Sequence, residues 1–206
     1  MRPADQKIYL ASKSPRRREL LRQIGVEFEL LLLRDHGGRV ADVTEQVLPG
    51  ESPATYVHRV AREKVEAGIE TVRWRRLPSR PVLTADTTVV LDDTIFGKPA
   101  DPAEAFDMLR RLSGRTHQVL TSVAIRRDDE VWQTTQTSNV TFATLSEAAI
   151  RLYCATKEPY DKAGAYGIQG YAATFIESLA GSYTGIMGLP LFETAQLLKQ
   201  AGLKFP

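Results

Sequence analysis

What this chain has little of excludes several classes of protein. Its 206 residues include one cysteine, Cys154, so no disulfide can form within the chain and a disulfide-stapled scaffold is ruled out. The three histidines, His36, His58 and His117, are scattered and show no zinc-ligand spacing. No G-x-S-x-G marks an esterase elbow. Apolar runs stay short: the first, at 8–11, follows Asp5 and Lys7 and does not resemble a signal peptide, and no run approaches membrane-spanning length. Charge of either sign is not in excess, with 27 Lys and Arg against 25 Asp and Glu, which does not suit a protein that coats nucleic acid. What is left is ordinary globular composition, 43% hydrophobic and 25% charged. The expected protein is cytoplasmic, with no membrane partner and no stable nucleic-acid partner.

Patterning predicts an α/β fold. A strand is expected over 8–11 and a helix from Pro15 to a stop at Gly25. A second strand is expected over 26–33, then a long polar loop over 34–50 and a helix from Pro53 to about Gly68. The stretch 72–80, with Trp74, reads as a basic loop. Residues 82–91 form a strong strand that turns at Asp92-Asp93 into a short partner ending at Phe96. Asp101 and Glu104 open a helix to about Leu112 in a capping-box pattern. Two long strands over 117–126 and 131–143, a helix over 147–155, a glycine-rich loop and a strand over 173–179 follow. A last helix carries Leu191, Ala195 and Leu198 on one face and stops at Gly202. This order implies a mixed, largely antiparallel, elongated central sheet flanked by helices, with 1–206 forming one domain of two lobes around a cleft.

The first chemical signal is an electrostatic misfit. Residues 12–21 read SKSPRRRELL, with Ser14 a good N-cap and Pro15 fitting the first helical position. Arg16, Arg17 and Arg18 then crowd the end of the helix where the free N–H groups already carry partial positive charge. Such a start suits an anion, and phosphate matches the guanidinium fork. A solvated arginine face is the alternative.

Other residues carry weaker signals. Asp86 shares a strand face with Val82, Thr84, Thr88 and Val90, so it is either a carboxylate that needs a cation or a solvated residue on an open sheet. Lys64 continues the helical stripe of Val57, Val60 and Ala61, as a snorkelling lysine or as a cation reaching a polar cleft. Lys98 stands in a Gly-Lys-Pro turn. Residues 161–170, DKAGAYGIQG, space Gly164, Gly167 and Gly170 by three. They match neither a Walker loop nor a dinucleotide fingerprint, yet permit close approach of a ligand that Gln169 could hydrogen-bond.

Together these segments resemble the Maf family of nucleoside triphosphate pyrophosphatases. The motifs are YLASKSPRRRELL at 9–21, VAREK at 60–64, ADTTV at 85–89, GKP at 97–99, LSGRTHQVLT at 112–121, DKAGAYGIQG at 161–170 and GSYTGIMGLPL at 181–191. They run in family order along essentially the whole chain. The resemblance implies a Maf/Ham1-like fold and a hydrolase that splits dTTP and UTP between the α- and β-phosphates. The wording of the glycine loop disfavours the 7-methyl-GTP subgroup; a nucleotide-sensing regulator of septum formation without turnover is the reading from another class. The resemblance also implies phosphate contacts from Ser12, Arg16, Arg17, Lys64 and Lys98, with Lys64 and Lys98 aiding catalysis. Asp86 becomes the proton acceptor, and Arg16, Thr87 and Gln169 govern substrate choice. A divalent cation, Mg²⁺ or Mn²⁺, would be held by Asp86 and by an acid of the 34–50 loop: Glu45, with Asp35 and Asp42 as alternatives. Lys13 adds a further cation near the phosphates, and a homodimer is the implied assembly.

Overall fold

The computed structural model describes residues 6–33 and 43–204. Asp35 and Asp42, the alternative metal-binding acids, lie outside the described residues. The elements run β1 (Ile8–Leu10), α1 (Pro15–Gln23), β2 (Phe28–Leu30), α2 (Pro53–Trp74), β3 (Val82–Leu91), β4 (Thr94–Phe96) and α3 (Pro102–Leu112). Then come β5 (Thr116–Arg127), β6 (Glu130–Phe142), α4 (Glu147–Cys154), three single turns of 3₁₀ helix between 158 and 175, β7 (Ile176–Ala180), α5 (Tyr183–Ile186) and α6 (Leu191–Gln200).

The sheet order is β2-β1-β3-β5-β6-β7, with β4 pairing β3. β1 is parallel to both neighbours and every other pairing is antiparallel, so the sheet is mixed and largely antiparallel as the pattern implied. The β3–β4 hairpin turns through Asp92 and Asp93, both at positive φ, as a two-residue primed turn requires.

The long strands put the site in a seam. On one face of β3, Leu83 and Ala85 belong to a core with β1, α1 and α6, while Val89 and Leu91 belong to another with α3 and α4. On the other face, Val82 packs with Val65, Ile69 and Val72 of α2, and Val90 packs with Tyr56, Val57 and Val60 of the same helix. Residues 86 and 87 fall between the two cores on either face.

Several boundaries differ from the sequence reading, each for a packing reason. α2 does not stop at Gly68 but runs on to Trp74, because Val65, Ile69 and Val72 continue its apolar stripe. The expected basic loop over 72–80 is therefore partly helix. Three of its four arginines are engaged with the protein: Arg73 bonds Glu70, Arg75 bonds Leu32 O and Arg80 bonds Glu29. A Cβ on Gly68 would lie 2.7 Å from Val82 Cγ1, so this glycine lets helix and strand approach. Gly68→Ala should thus lower stability by about 1 kcal/mol, overpacking outweighing the better helix propensity, and a thermal melt checks this. The strand expected over 26–33 shortens to Phe28–Leu30, matching the three residues of β1 that it pairs. The first part of the expected 173–179 strand is 3₁₀ helix, and the four-residue α5 was not foreseen. On α6, Thr194 and Leu198 are fully buried, whereas Ala195 is only half-buried.

Candidate active site

A cleft of about 900 Å³ opens at the seam, lined by Ser12, Lys13, Arg16, Arg17, Glu45, Lys64, Asp86, Thr87, Lys98 and Gln169, which are the described residues among those singled out for phosphate, metal or substrate contacts. β3 is buried along its length except at Thr87, where the strand meets this cleft.

Asp86 is not on an open sheet surface. Its face is covered by α2, it is 8% exposed, and its Oδ1 accepts from Lys64 Nζ at 2.7 Å. The stripe that carries Lys64 aims its ammonium into the cleft, where it also meets Glu45 Oε1 at 2.7 Å. One ammonium thus stands between two carboxylates. Burial alone would raise the Glu45 carboxyl, but the charge and hydrogen bond of Lys64, with Lys98 and Arg17 behind, hold it below its ordinary value. The loop bearing Glu45 is fastened to α2: Tyr56 Oη donates to Glu45 O at 3.0 Å, and Arg59 donates to Thr44 O and Gln46 O while forking onto Glu51. Burial first, then Asp86 and Glu45, raise the Tyr56 phenol well above its usual range, so it remains a donor. Tyr56 and Arg59 escaped sequence reasoning, since nothing in their helical spacing links them to the loop.

The arginines at the start of α1 divide the work. Arg17 is half-buried, and its donors reach Gly188 O at 2.7 Å, Ala85 O at 2.7 Å, Thr87 Oγ1 at 3.2 Å and Ser12 Oγ at 3.4 Å. It ties α1 to β3 and to the turn after α5. Arg16 has its side chain 25% exposed and, among the described residues, bonds Asp161 alone, at 3.5 Å. Arg18 has no bonded partner among the described residues.

Hydrogen-bond polarity is fixed on both sides of Arg17. Ser12 Oγ accepts from Arg17 and from Ser14 N, so its two lone pairs are used and its proton is left to donate. Thr121 donates to Gly185 O at 2.8 Å, so across its 2.9 Å contact with Thr87 it is the acceptor. Thr87 therefore donates to Thr121, accepts from Arg17 and presents one remaining lone pair. Ser12 is thus left as a donor toward the cleft, and Thr87 as an acceptor.

The glycine loop faces these groups. Gly164 N donates to Gly97 O at 3.0 Å, joining the loop to the turn that carries the exposed Lys98. The glycines also meet close protein neighbours: a Cβ on Gly164 would strike Val89 of β3, and one on Gly170 would overlap the Glu158 carboxylate, while Gly167 and Gly170 line the cleft. Gln169 is exposed at the rim. Lys162, which bonds Glu158 O and Asp161, also lines the cleft and was missed because its partners lie within the loop itself.

Tyr166 is buried in the loop and meets His117 Nε2 at 2.7 Å. His117 is 2% exposed among Phe142 and Tyr166, its Nδ1 has no hydrogen-bond partner among the described residues, and burial pushes its pKa down to about 4. Because the folded value lies below the unfolded one, this neutral imidazole contributes stability that is fully present above pH 6.5 and lost as pH falls toward 4. Denaturant titrations should show the wild type losing about 3 kcal/mol more than His117→Gln over that window.

Among the described residues no group of three or more His, Cys, Asp or Glu side chains could hold a metal. The two carboxylates that share Lys64 are oxygen donors of the kind a hard divalent ion would take.

The chain is 57% identical over 203 residues, 98% of each chain, to the dTTP/UTP pyrophosphatase of Aromatoleum aromaticum. It is 52% identical to the dTTP/UTP pyrophosphatase of Dechloromonas aromatica, covering 96% of this chain and 98% of that one. The protein of the same name in Ralstonia nicotianae is 54% identical, covering 95% and 94%. The Ham1 protein of Staphylococcus aureus aligns with TM-score 0.42 and 15% identity over 66% of this chain and 72% of that one, a likeness too loose to build on. The family model described as Maf-like protein matches residues 7–201, and the chain belongs to that family.

Proposed function

We propose that the cleft hydrolyses dTTP and UTP between the α- and β-phosphates, releasing the nucleoside monophosphate and pyrophosphate. The observation that carries this reading is the Lys64 ammonium held at 2.7 Å from both Asp86 and Glu45, all three lining the cleft. The names of the relatives supply the substrate class.

In this reading a water attacks the α-phosphorus, the bond to the bridging oxygen breaks and pyrophosphate leaves. Asp86 orients that water and takes its proton. Lys64, Lys98 and Arg16 meet the charge that builds on the leaving group, and Ser12 donates to a phosphate oxygen. Phosphoryl chemistry gains chiefly from such positioning and electrostatics. Glu45 and Asp86 are the residues that would hold Mg²⁺ or Mn²⁺, which supplies further neutralisation of the phosphate oxygens when bound. Arg17 acts through others: it holds Ser12 and Thr87 in place. Gln169 and Thr87 read the base. The cytoplasm is the proposed compartment, in keeping with a single free and buried cysteine. No helix among the described residues is long and apolar enough to cross a membrane.

The test is a panel of dTTP, UTP, CTP and 7-methyl-GTP with Mg²⁺ or Mn²⁺, with pyrophosphate detected as product. Fastest turnover of dTTP and UTP supports the reading; equal rates on all four, or preference for 7-methyl-GTP, would refute it.

A further inference from the structure

Gln169 sits on a loop that has to be held still if it is to read a base, and one side chain outside the recognised motifs does much of the holding. The Glu158 carboxylate accepts from Tyr171 N at 2.9 Å and Ala172 N at 3.3 Å, two and three residues beyond Gln169. Its Oε1 also accepts from the hydroxyl of Tyr153, a fully buried residue of the core between α3 and α4. One carboxylate therefore fastens the far end of the glycine loop to the core. The near end is fastened elsewhere, by Gly164 N on Gly97 O and by Tyr166 on His117. The Glu158 carboxylate lies in the space that a Cβ on Gly170 would take. Glu158 itself lines the cleft.

We propose that Glu158 is a positioning residue for base recognition, fixing Gln169 at the rim of the cleft by gathering the Tyr171 and Ala172 amides. This rests on the reading that the cleft binds a pyrimidine nucleotide through Gln169. Glu158 makes no contact with phosphates in this account, so its loss acts on substrate binding and leaves the reacting groups in place. A misplaced contact then shows in KM more than in kcat.

The experiment is a double-mutant cycle on dTTP hydrolysis with Glu158→Ala, Gln169→Ala and the pair. Glu158→Ala is expected to raise KM about tenfold with kcat within about threefold of wild type. The pair should be no worse than Gln169→Ala alone within about twofold, because the two residues act through one contact. Multiplying losses, or a fall in kcat at unchanged KM, would overturn the proposal. Glu158→Gln guards against a variant that fails to fold: it keeps the shape but replaces one acceptor oxygen by an NH₂ group facing a backbone N–H. It should show the same KM rise, and a wild-type KM in Glu158→Gln would overturn the proposal as well. Wild-type protein that hydrolyses neither dTTP nor UTP defeats the functional reading itself. Turnover by the wild type with independent effects of the two residues defeats only the role of Glu158.

Discussion

Asp86→Asn should cut the turnover of dTTP by about 10³-fold while nucleotide binding survives, since a positioned proton acceptor contributes on the order of 10²–10⁴ in rate. The substitution keeps the shape of the side chain and a possible contact with Lys64, so the packing of β3 under α2 should persist. What it removes is the proposed proton acceptor and one of the two carboxylates beside Lys64. A negative charge is also lost next to the triphosphate, so without metal a non-hydrolysable α,β-methylene analogue should bind at least as tightly as to the wild type. Calorimetry with that analogue and a pyrophosphate-release assay together check the point. Retention of more than about a tenth of wild-type turnover would remove Asp86 from the chemistry.

Arg17 and Arg16, adjacent in sequence, should fail in different ways. Arg17→Met leaves Ala85 O and Gly188 O without the donors that now lie 2.7 Å away. Each buried acceptor left unpaired costs about 1–3 kcal/mol. For a chain of this size the sum corresponds to a fall in Tm of roughly 10 °C. Activity should fall with it, because Ser12 and Thr87 lose the partner that orders their hydroxyls. Arg17→Lys should not rescue, since an ammonium cannot serve acceptors spread around a planar fork. Arg16→Met should leave Tm within about 2 °C, its long contact with the exposed Asp161 being worth little. It should nonetheless raise KM for the triphosphate. Thermal melts and steady-state kinetics on the three variants decide between a shared and a divided role.

That division marks the limit of what the sequence could show. Three consecutive arginines at a helix start announce an anion, but they do not say which of them faces it. The partners that claim Arg17, Ala85 and Gly188, are 68 and 171 positions away and come together only through the sheet. Asp86 and Lys64 were legible because strand and helix periodicity each place one on an apolar face, where an ionised group needs a reason. That they meet each other was not legible, since the packing of α2 on β3 sets that distance. Gly68 misled because a glycine late in a helical stripe resembles a stop, whereas here it admits Val82. Residues 171–175 are apolar enough for a strand yet form 3₁₀ helix, with Glu158 capturing the amides of Tyr171 and Ala172. The glycine spacing pointed to a loop whose Gly167 and Gly170 do line the cleft, but the close neighbours of Gly164 and Gly170, Val89 and Glu158, were not legible in it.

The central claim is that water, oriented by Asp86, attacks the α-phosphorus of dTTP. Hydrolysis in ¹⁸O-labelled water, with both products weighed by mass spectrometry, tests it most directly. The account predicts one ¹⁸O in dTMP and none in pyrophosphate. Label in pyrophosphate, or release of orthophosphate in its place, would contradict it.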